Sequence, residues 1–225
     1  MEENLETQMP NTFITEYHQL PQTLPIFPLT GAVIMPGAQL PLNIFEPRYL
    51  NMVQDAMATH HLIGMVQPDN EATHGSQGVC ATGCSARITL YNETKDGRIE
   101  IVLTGVCRFD IVNELSTTRG YRLITPSWKR FKSDYDLADS SVGEARETIY
   151  ATLERYLSAN ELKTDINQLE NLSTNHLVNI LTTTLPLPHE DKQSIIEAVS
   201  FDDRYQLLIA KMELASGPPA SNLRH

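Results

Sequence analysis

Up to Ser133-Asp134-Tyr135-Asp136 the chain is a series of short apolar runs broken by proline and glycine; beyond it, apolar positions recur at helical spacing. Runs at 24–29, 39–45, 62–67, 86–91, 98–104, 106–112 and 121–128 predict six or more strands, with Met35-Pro36-Gly37 turning the chain between the first two. The clearest pair is 86–91 with 98–104, joined by a loop in which Asp96-Gly97 tolerates the positive φ of a hairpin turn. In its second member Ile99, Ile101 and Leu103 share one face, and Arg98, Glu100 and Val102 the other. Pro25, Pro28 and Pro41 lack the N–H that a ladder needs, so their strands are expected at edges or bulges. One helix interrupts the series: Glu46-Pro47-Arg48-Tyr49 puts proline in a first turn, and Leu50, Val53 and Met57 form a stripe facing the core.

After residue 133 four helices are expected, with a further short one near 161–169. Ser141-Val142-Gly143-Glu144 matches a capping box ahead of Ile149, Leu153, Tyr156 and Leu157. Ser173 is placed to cap a helix carrying Leu177, Ile180, Leu181 and Leu185, which Pro186 and Pro188 stop. His189-Glu190-Asp191 opens the next with acids at the positive end of its dipole. Asp202 is placed to cap the last, which carries Tyr205, Leu208, Ile209 and Met212. The expected organisation is a tail over 1–20, a β-rich unit over 21–132, a helical bundle over 133–214 and a second tail over 215–225.

Composition narrows the classes. With 225 residues, 41% of them hydrophobic and 20% charged, the chain is long and apolar enough for a real core. Lys plus Arg number 17 against 28 Asp plus Glu, a net charge of −11 that falls mostly after residue 133. That sign repels phosphate backbones and anionic lipid, so neither DNA nor a membrane surface is an expected partner. No stretch approaches the about 18 consecutive apolar residues of a membrane span, and the acidic start Met1-Glu2-Glu3-Asn4-Leu5-Glu6 is unlike a signal peptide. Cys80, Cys84 and Cys107 make an odd set without a secretory context, so a cytoplasmic protein without a disulfide framework is expected. Arg119, Arg122, Lys129, Arg130 and Lys132 form the one basic concentration. It is expected to face the acidic helical half, with an acidic partner or RNA as the alternatives.

Candidate chemistry changes the picture little. The chain has no Gly-Lys dipeptide for a P-loop, and His74-Gly75-Ser76-Gln77-Gly78 lacks the first glycine of a nucleophile elbow. His189-Glu190-Asp191-Lys192-Gln193 carries glutamine where a zinc protease helix needs its second histidine. Cys80, Cys84, Cys107 and His74 are zinc-ligand types, but no further ligand follows at a recognisable spacing, and burial as small hydrophobes is expected. His60-His61 follows a helix end, where a cation suits the dipole. Asp134, Asp136 and Asp139 read as solvated linker. No catalytic, cofactor-binding or metal-binding residue is assigned.

Leu24-Pro25-Ile26-Phe27-Pro28-Leu29, Val33-Ile34-Met35-Pro36-Gly37 and the unbroken run Leu40-Pro41-Leu42-Asn43-Ile44-Phe45-Glu46-Pro47-Arg48-Tyr49 resemble the N-terminal, substrate-binding domain of Lon proteases. Cys84-Ser85-Ala86-Arg87-Ile88, Asp96-Gly97-Arg98, Leu103-Thr104-Gly105-Val106-Cys107-Arg108-Phe109, Lys192-Gln193-Ser194-Ile195-Ile196-Glu197 and Asp202-Asp203-Arg204-Tyr205 extend the resemblance over about residues 22–214. It implies an α+β fold: a six-stranded, PUA-like pseudo-barrel with one helix, followed by an α-helical bundle of four or five helices. It also implies substrate capture and help in ring assembly, with ATP hydrolysis and peptide cleavage on separate domains. The chain resembles a free-standing version, hence a non-catalytic adaptor or holdase. Its partners would be unfolded or partly folded polypeptides, or a specific protein partner, with a homodimer left open. No catalytic residue of Lon carries over, because the matching positions are not in this sequence.

Within the resemblance, Phe45, Arg48 and Tyr49 are the candidates for peptide contact, beside an apolar cleft expected between barrel and bundle. The bland alternative pairs Glu46 with Arg48 as a semi-buried bridge and packs Phe45 and Tyr49 into the core. Two other functions stay open at this point. One is a hydrolase whose site assembles from scattered Ser, His and Asp. The other is RNA binding through residues 119–132, by analogy of fold alone.

Overall fold

The apolar runs become strands of one sheet in a computed structural model that describes residues 16–69, 78–135, 143–164 and 166–217. The chain order is β1 (Leu24–Pro28), β2 (Gln39–Ile44), α1 (Pro47–Met57), β3 (Leu62–Val66), β4 (Thr82–Glu93), β5 (Ile99–Leu115) and β6 (Arg122–Ser127). The helices α2 (Gly143–Ala159), α3 (Thr174–Thr184), α4 (His189–Glu197) and α5 (Phe201–Ala215) follow, and a 3₁₀ turn, Ile166–Leu169, stands where a further short helix is expected. The fold is α+β, with strand order β2-β5-β4-β3-β1-β6 and a second pairing of β5 with β6.

That second pairing closes the barrel, and β5 makes it possible by bending. The two runs expected at 98–104 and 106–112 are one strand, because Gly105 stays in the ladder opposite Ala86. Register shifts between Ser85 and Ala86, between Ile88 and Leu90, and between Ile111 and Asn113 leave Val106, Thr89 and Val112 as extra residues. Such bulges raise local twist, so the first half of β5 pairs with β2 and β4 while its end pairs with β6. At the hairpin, Gly97 has φ +82° as the Asp96-Gly97 signal predicts, and Ile99, Ile101 and Leu103 are buried on one face. Strand β3 is buried on both faces: Ile63 and Met65 join the cluster under α1, while Leu62 and Val66 join the barrel cluster around Phe109. Gly64 and Gly83 both lie where a Cβ would press on the Phe109 ring, so this aromatic of the barrel interior has glycine on two sides.

The prolines are accommodated in two ways. Pro41 is on β2, which among the described residues pairs only with β5 and is an edge, as expected. β1 is not an edge: it lies between β3 and β6. Its ladder with β3 takes Ile26 to Pro28 and its ladder with β6 takes Leu24 to Ile26. Leu29 N–H donates to the Val66 carbonyl (3.0 Å), so odd-numbered N–H groups face β3 and even-numbered ones face β6. The missing donors of Pro25 and Pro28 therefore fall just past the end of each ladder.

Helix faces follow the expected spacing with shifts. On α1 the buried side chains are Tyr49, Met52, Val53 and Ala56, leaving Leu50 and Met57 at the margin of the stripe. Ser173 caps α3, accepting from His176 N–H (3.3 Å), and Leu177, Leu181 and Leu185 share one buried cluster with Ile149, Leu153, Tyr156 and Leu157 of α2. The cap of α5 is Ser200 rather than Asp202: its hydroxyl accepts from Asp203 N–H at 3.0 Å, and Asp202 lies in the first turn, where its charge suits the dipole. The capping box at Ser141-Val142-Gly143-Glu144 starts outside the described residues.

One face of α3 holds the barrel. His176, Asn179 and Thr183, spaced three and four residues apart, meet the main chain of the turn before β2. Met35 N–H donates to Thr183 Oγ1 (3.1 Å), Asn179 Nδ2 donates to the Pro36 carbonyl (3.0 Å), and His176 Nε2 lies 3.2 Å from the Gly37 carbonyl. Gly37 has φ +80°, and a Cβ there would press on the His176 ring, so glycine meets both demands. Buried Lys192 of α4 donates to the Thr183 carbonyl (3.0 Å), satisfying the last turn of α3; burial lowers its pKa.

At the end of α1, His61 is a non-glycine residue at φ +61°, held by bonds from its N–H to the Ala56 carbonyl and from Ile88 N–H to its carbonyl (both 2.9 Å). Replacing it with glycine keeps both bonds and removes the Cβ clash of the left-handed region. His61→Gly is expected to raise stability by about 0.5–1 kcal/mol, seen as a higher urea midpoint at unchanged slope.

Candidate functional site

The segment from β2 into α1 separates the three peptide-contact candidates by burial. Ile44 ends β2 inside the core, so Phe45 is turned outward and is 63% exposed, with the Arg98 guanidinium over its ring at 5.8 Å. Glu46 is the N-cap of α1, but its carboxylate accepts from Arg48 (Nε, 2.9 Å; Nη2, 2.8 Å) rather than from the helix. That bridge is about half exposed and lies within one segment, so it does not tie helix to barrel. The Arg48 guanidinium covers the Tyr49 ring at 4.5 Å, and Tyr49 itself is core, 4.2 Å from the Phe27 ring, with burial raising its hydroxyl pKa. Phe45 and Arg48 are thus the accessible members, and Tyr49 supports Arg48 from beneath.

The surroundings of α1 are not those expected. Its polar face meets the β5–β6 loop: Arg119 bridges to Asp55 (2.9 Å), Tyr121 donates to the same carboxylate (2.9 Å) and Asn51 donates to the Arg119 carbonyl (3.2 Å). Barrel and helices meet elsewhere, through α3 on the Met35-Pro36-Gly37 turn and through α4, where Gln67 donates to the His189 carbonyl (2.9 Å) and Gln193 to the Thr82 carbonyl (3.2 Å).

The basic concentration also resolves differently. Arg119 pairs with Asp55, Arg122 with Glu114 (2.6 Å) and Arg130 with Asp110 (3.0 Å), all carboxylates of the β-rich part and not of the acidic helical half. Arg122 meets Glu114 across paired β5 and β6, Arg119 of the β5–β6 loop meets Asp55 of α1, and Arg130 reaches the helical half only through the Glu197 carbonyl. Lys132 stands over the Tyr17 ring at 5.8 Å. Asp134, read from sequence as linker, is 3% exposed and takes both ends of the Arg108 fork; Asp136 and Asp139 lie outside the described residues. Histidine rings are engaged structurally: His176 at the Gly37 carbonyl, His189 beside Glu190 (3.0 Å), and half-buried His60, whose Nδ1 accepts from Leu62 N–H and whose pKa burial lowers.

Cys84 and Cys107 are buried thiols, and Cys80 is partly buried; burial raises the pKa of all three, that of Cys80 to about 11. His74 lies outside the described residues. A thiol whose folded pKa is raised contributes stability below its unfolded pKa, near 9, that is lost as pH rises above it. The stability of the protein is therefore expected to fall more steeply between pH 8 and pH 10 than that of a Cys84→Ala, Cys107→Ala variant. Urea midpoints across that range, compared pairwise, measure the difference.

Sequence reasoning did not single out the outer face of β2. Pro41, Val102 and Leu90 stand in one cross-strand row over β2, β5 and β4, and Leu90 is half exposed. Pro41 was its only sequence signal, through the edge position that proline implies.

A family model for the substrate-binding domain of ATP-dependent protease La (LON) matches residues 23–213. Among curated proteins, Lon protease 2 of Myxococcus xanthus is 24% identical over 212 residues, covering 91% of this chain and 25% of its own length. The Lon protease of Parabacteroides distasonis is 30% identical over 118 residues, 52% of this chain and 14% of its own. The chain thus spans about a quarter or less of the curated relatives it matches. Among solved structures, a Lon N-terminal domain protein from Xanthomonas campestris covers 84% of this chain and 97% of its own at TM-score 0.61 and 23% identity. The N-terminal domain of the Mycobacterium avium complex Lon protease covers 85% and 98% at TM-score 0.60 and 16% identity.

Proposed function

The chain belongs to the family of Lon substrate-binding domains, a family of substrate-recognition modules, and from that premise we propose that it captures unfolded or partly folded polypeptide as an adaptor or holdase. The observation that carries this reading is the family match over residues 23–213, and exposed Phe45 on the motif run supplies a contact point. In this reading the protein performs no chemistry of its own, acts in the cytoplasm, and comprises a β-rich subdomain over 21–132 and a helical one over 133–214. Among the described residues no helix is long and apolar enough to cross a membrane.

The test is a fluorescence-anisotropy titration with labelled, reduced and carboxymethylated α-lactalbumin, using the folded form as competitor. Saturable binding that the folded form does not displace is expected. Absence of binding at tens of micromolar overturns the reading. Phe45→Ser is expected to weaken capture several-fold at unchanged stability, because the side chain is 63% exposed. An unaltered affinity would move the contact away from this residue.

A further inference from the structure

We propose that the outer edge of β2 receives an extended polypeptide segment as an added strand. This rests on the capture reading above and assigns its place and mode. Every other strand pairs on two sides: β1 with β3 and β6, β3 with β4 and β1, β4 with β3 and β5, β6 with β1 and β5, and β5 with β4, β2 and β6. Among the described residues β2 pairs only with β5, in a ladder from Gln39 opposite Thr104 to Ile44 opposite Ile99.

The hydrogen-bond phase of that ladder can be read from its ends. Gly105 N–H donates to the Ala38 carbonyl (2.9 Å), so Leu40, Leu42 and Ile44 point their main-chain groups inward, at Leu103, Ile101 and Ile99. The far side of β5 agrees: Thr94 N–H donates to the Arg98 carbonyl (2.9 Å), so Arg98, Glu100 and Val102 face β4, and Ile99, Ile101 and Leu103 face β2. Gln39, Pro41 and Asn43 therefore turn their main chain away from the sheet. They present the N–H groups of Gln39 and Asn43 and the carbonyls of all three. Among the described residues none of these groups has a hydrogen-bond partner, and all three residues are exposed.

Such an edge is a template for pairing, and its chemistry selects the occupant. Pro41 offers an acceptor and no donor at the centre. A second β2 paired antiparallel about that point would set two prolines opposite each other, leaving both carbonyls without a donor. A foreign strand has an N–H there and satisfies Pro41. The two faces of the added strand meet different surfaces: on one side Leu40 and Leu42, only partly buried although they point inward, and on the other Pro41 of the Pro41–Val102–Leu90 row, flanked by polar Gln39 and Asn43. The occupant is thus an extended segment with apolar residues at alternate positions, of the kind a folded protein keeps inside.

The probe is a seven-residue peptide of alternating valine and threonine, competing with labelled carboxymethylated α-lactalbumin for the whole protein. Three readings are expected. The peptide displaces the unfolded polypeptide. A version N-methylated at three consecutive central residues, which blocks both of its edges, competes about tenfold less well or worse. In the bound state the Gln39 and Asn43 amides exchange more slowly with solvent while Leu40 and Leu42 are unchanged. Asn43→Pro, which removes only an outward donor, is expected to weaken capture by about tenfold as well. Should that variant fail to fold, the peptide comparison and the exchange measurement on the unaltered protein still decide. If α-lactalbumin binds but N-methylation costs nothing and the two amides exchange as before, capture stands and the edge proposal falls. If α-lactalbumin does not bind, capture falls and takes the proposal with it. Protection of Gln39 and Asn43 that rises with protein concentration alone assigns the edge to a second copy and overturns the proposal.

Discussion

Arg108→Ala is expected to lower stability by about 3–5 kcal/mol, a large share of the stability of an ordinary domain. Arg108 has no exposed side-chain surface, and its partner Asp134 is 3% exposed. The guanidinium reaches Asp134 through Nε (3.1 Å) and Nη2 (2.7 Å), and the Arg108 N–H donates to the same carboxylate (2.9 Å). Nη1 donates to the Ile196 (3.0 Å) and Ala198 (2.5 Å) carbonyls at the end of α4, and the group lies 4.4 Å over the Phe131 ring. One side chain thus joins β5, the segment after β6 and α4. Removing it leaves a buried carboxylate with its main-chain donor but no counter-charge, and two carbonyls without the guanidinium, which costs far more than the pair contributes net. The Arg108→Ala, Asp134→Ala double variant should lose less than the sum of the two single variants, because no charge is then stranded. Urea unfolding followed by circular dichroism measures each term. A single-variant loss below 1 kcal/mol would contradict the account.

Gly105→Ala should be nearly as damaging, for a reason of shape rather than charge. A Cβ at Gly105 would overlap the Met35 carbonyl, a main-chain atom that cannot rotate away. The turn before β2 crosses β5 at this point, with Gly37 N–H donating to the Gly105 carbonyl (2.9 Å) and Gly105 N–H to the Ala38 carbonyl (2.9 Å). Relief requires both hydrogen bonds to stretch or the turn to leave α3, so a loss of about 3 kcal/mol is expected. Gly97→Ala meets no atom within 4 Å and serves as the control, carrying only the cost of its φ of +82°. Equal losses in the two variants would show that close approach at Gly105 does not matter.

Local features were legible in the sequence, and long-range pairings were not. The Asp96-Gly97 turn, the alternation of Ile99, Ile101 and Leu103, proline at the first turn of α1 and Ser173 as a cap depend on neighbours a few residues away. The bulge at Val106 resets the period-two pattern, so one strand reads as two runs. Asp134 reads as linker because its partner is 26 residues distant, and no spacing rule connects them. Arg119, Arg122 and Arg130 are drawn to nearby carboxylates, which a tally of charge by half cannot show. Of the candidate site, the motif run located the segment, and Pro41 signalled the edge. The outward turn of Phe45 and the inward turn of Tyr49 follow from the strand ending at Ile44 and the helix starting at Pro47, a boundary finer than sequence patterns resolve.

The clasp of α3 on Met35, Pro36 and Gly37 has a mechanical side. β2 begins two residues after Gly37, so a load applied along β2 toward its C-terminal end that the β5 ladder does not hold passes to the turn. There it is carried by hydrogen bonds from His176, Asn179 and Thr183 into a helix packed on α4 and α5. Tension on the edge strand is thereby delivered to the helices rather than peeled off the sheet one bond at a time. The barrel and the bundle would yield to such a pull together, as one body with the turn as its linkage.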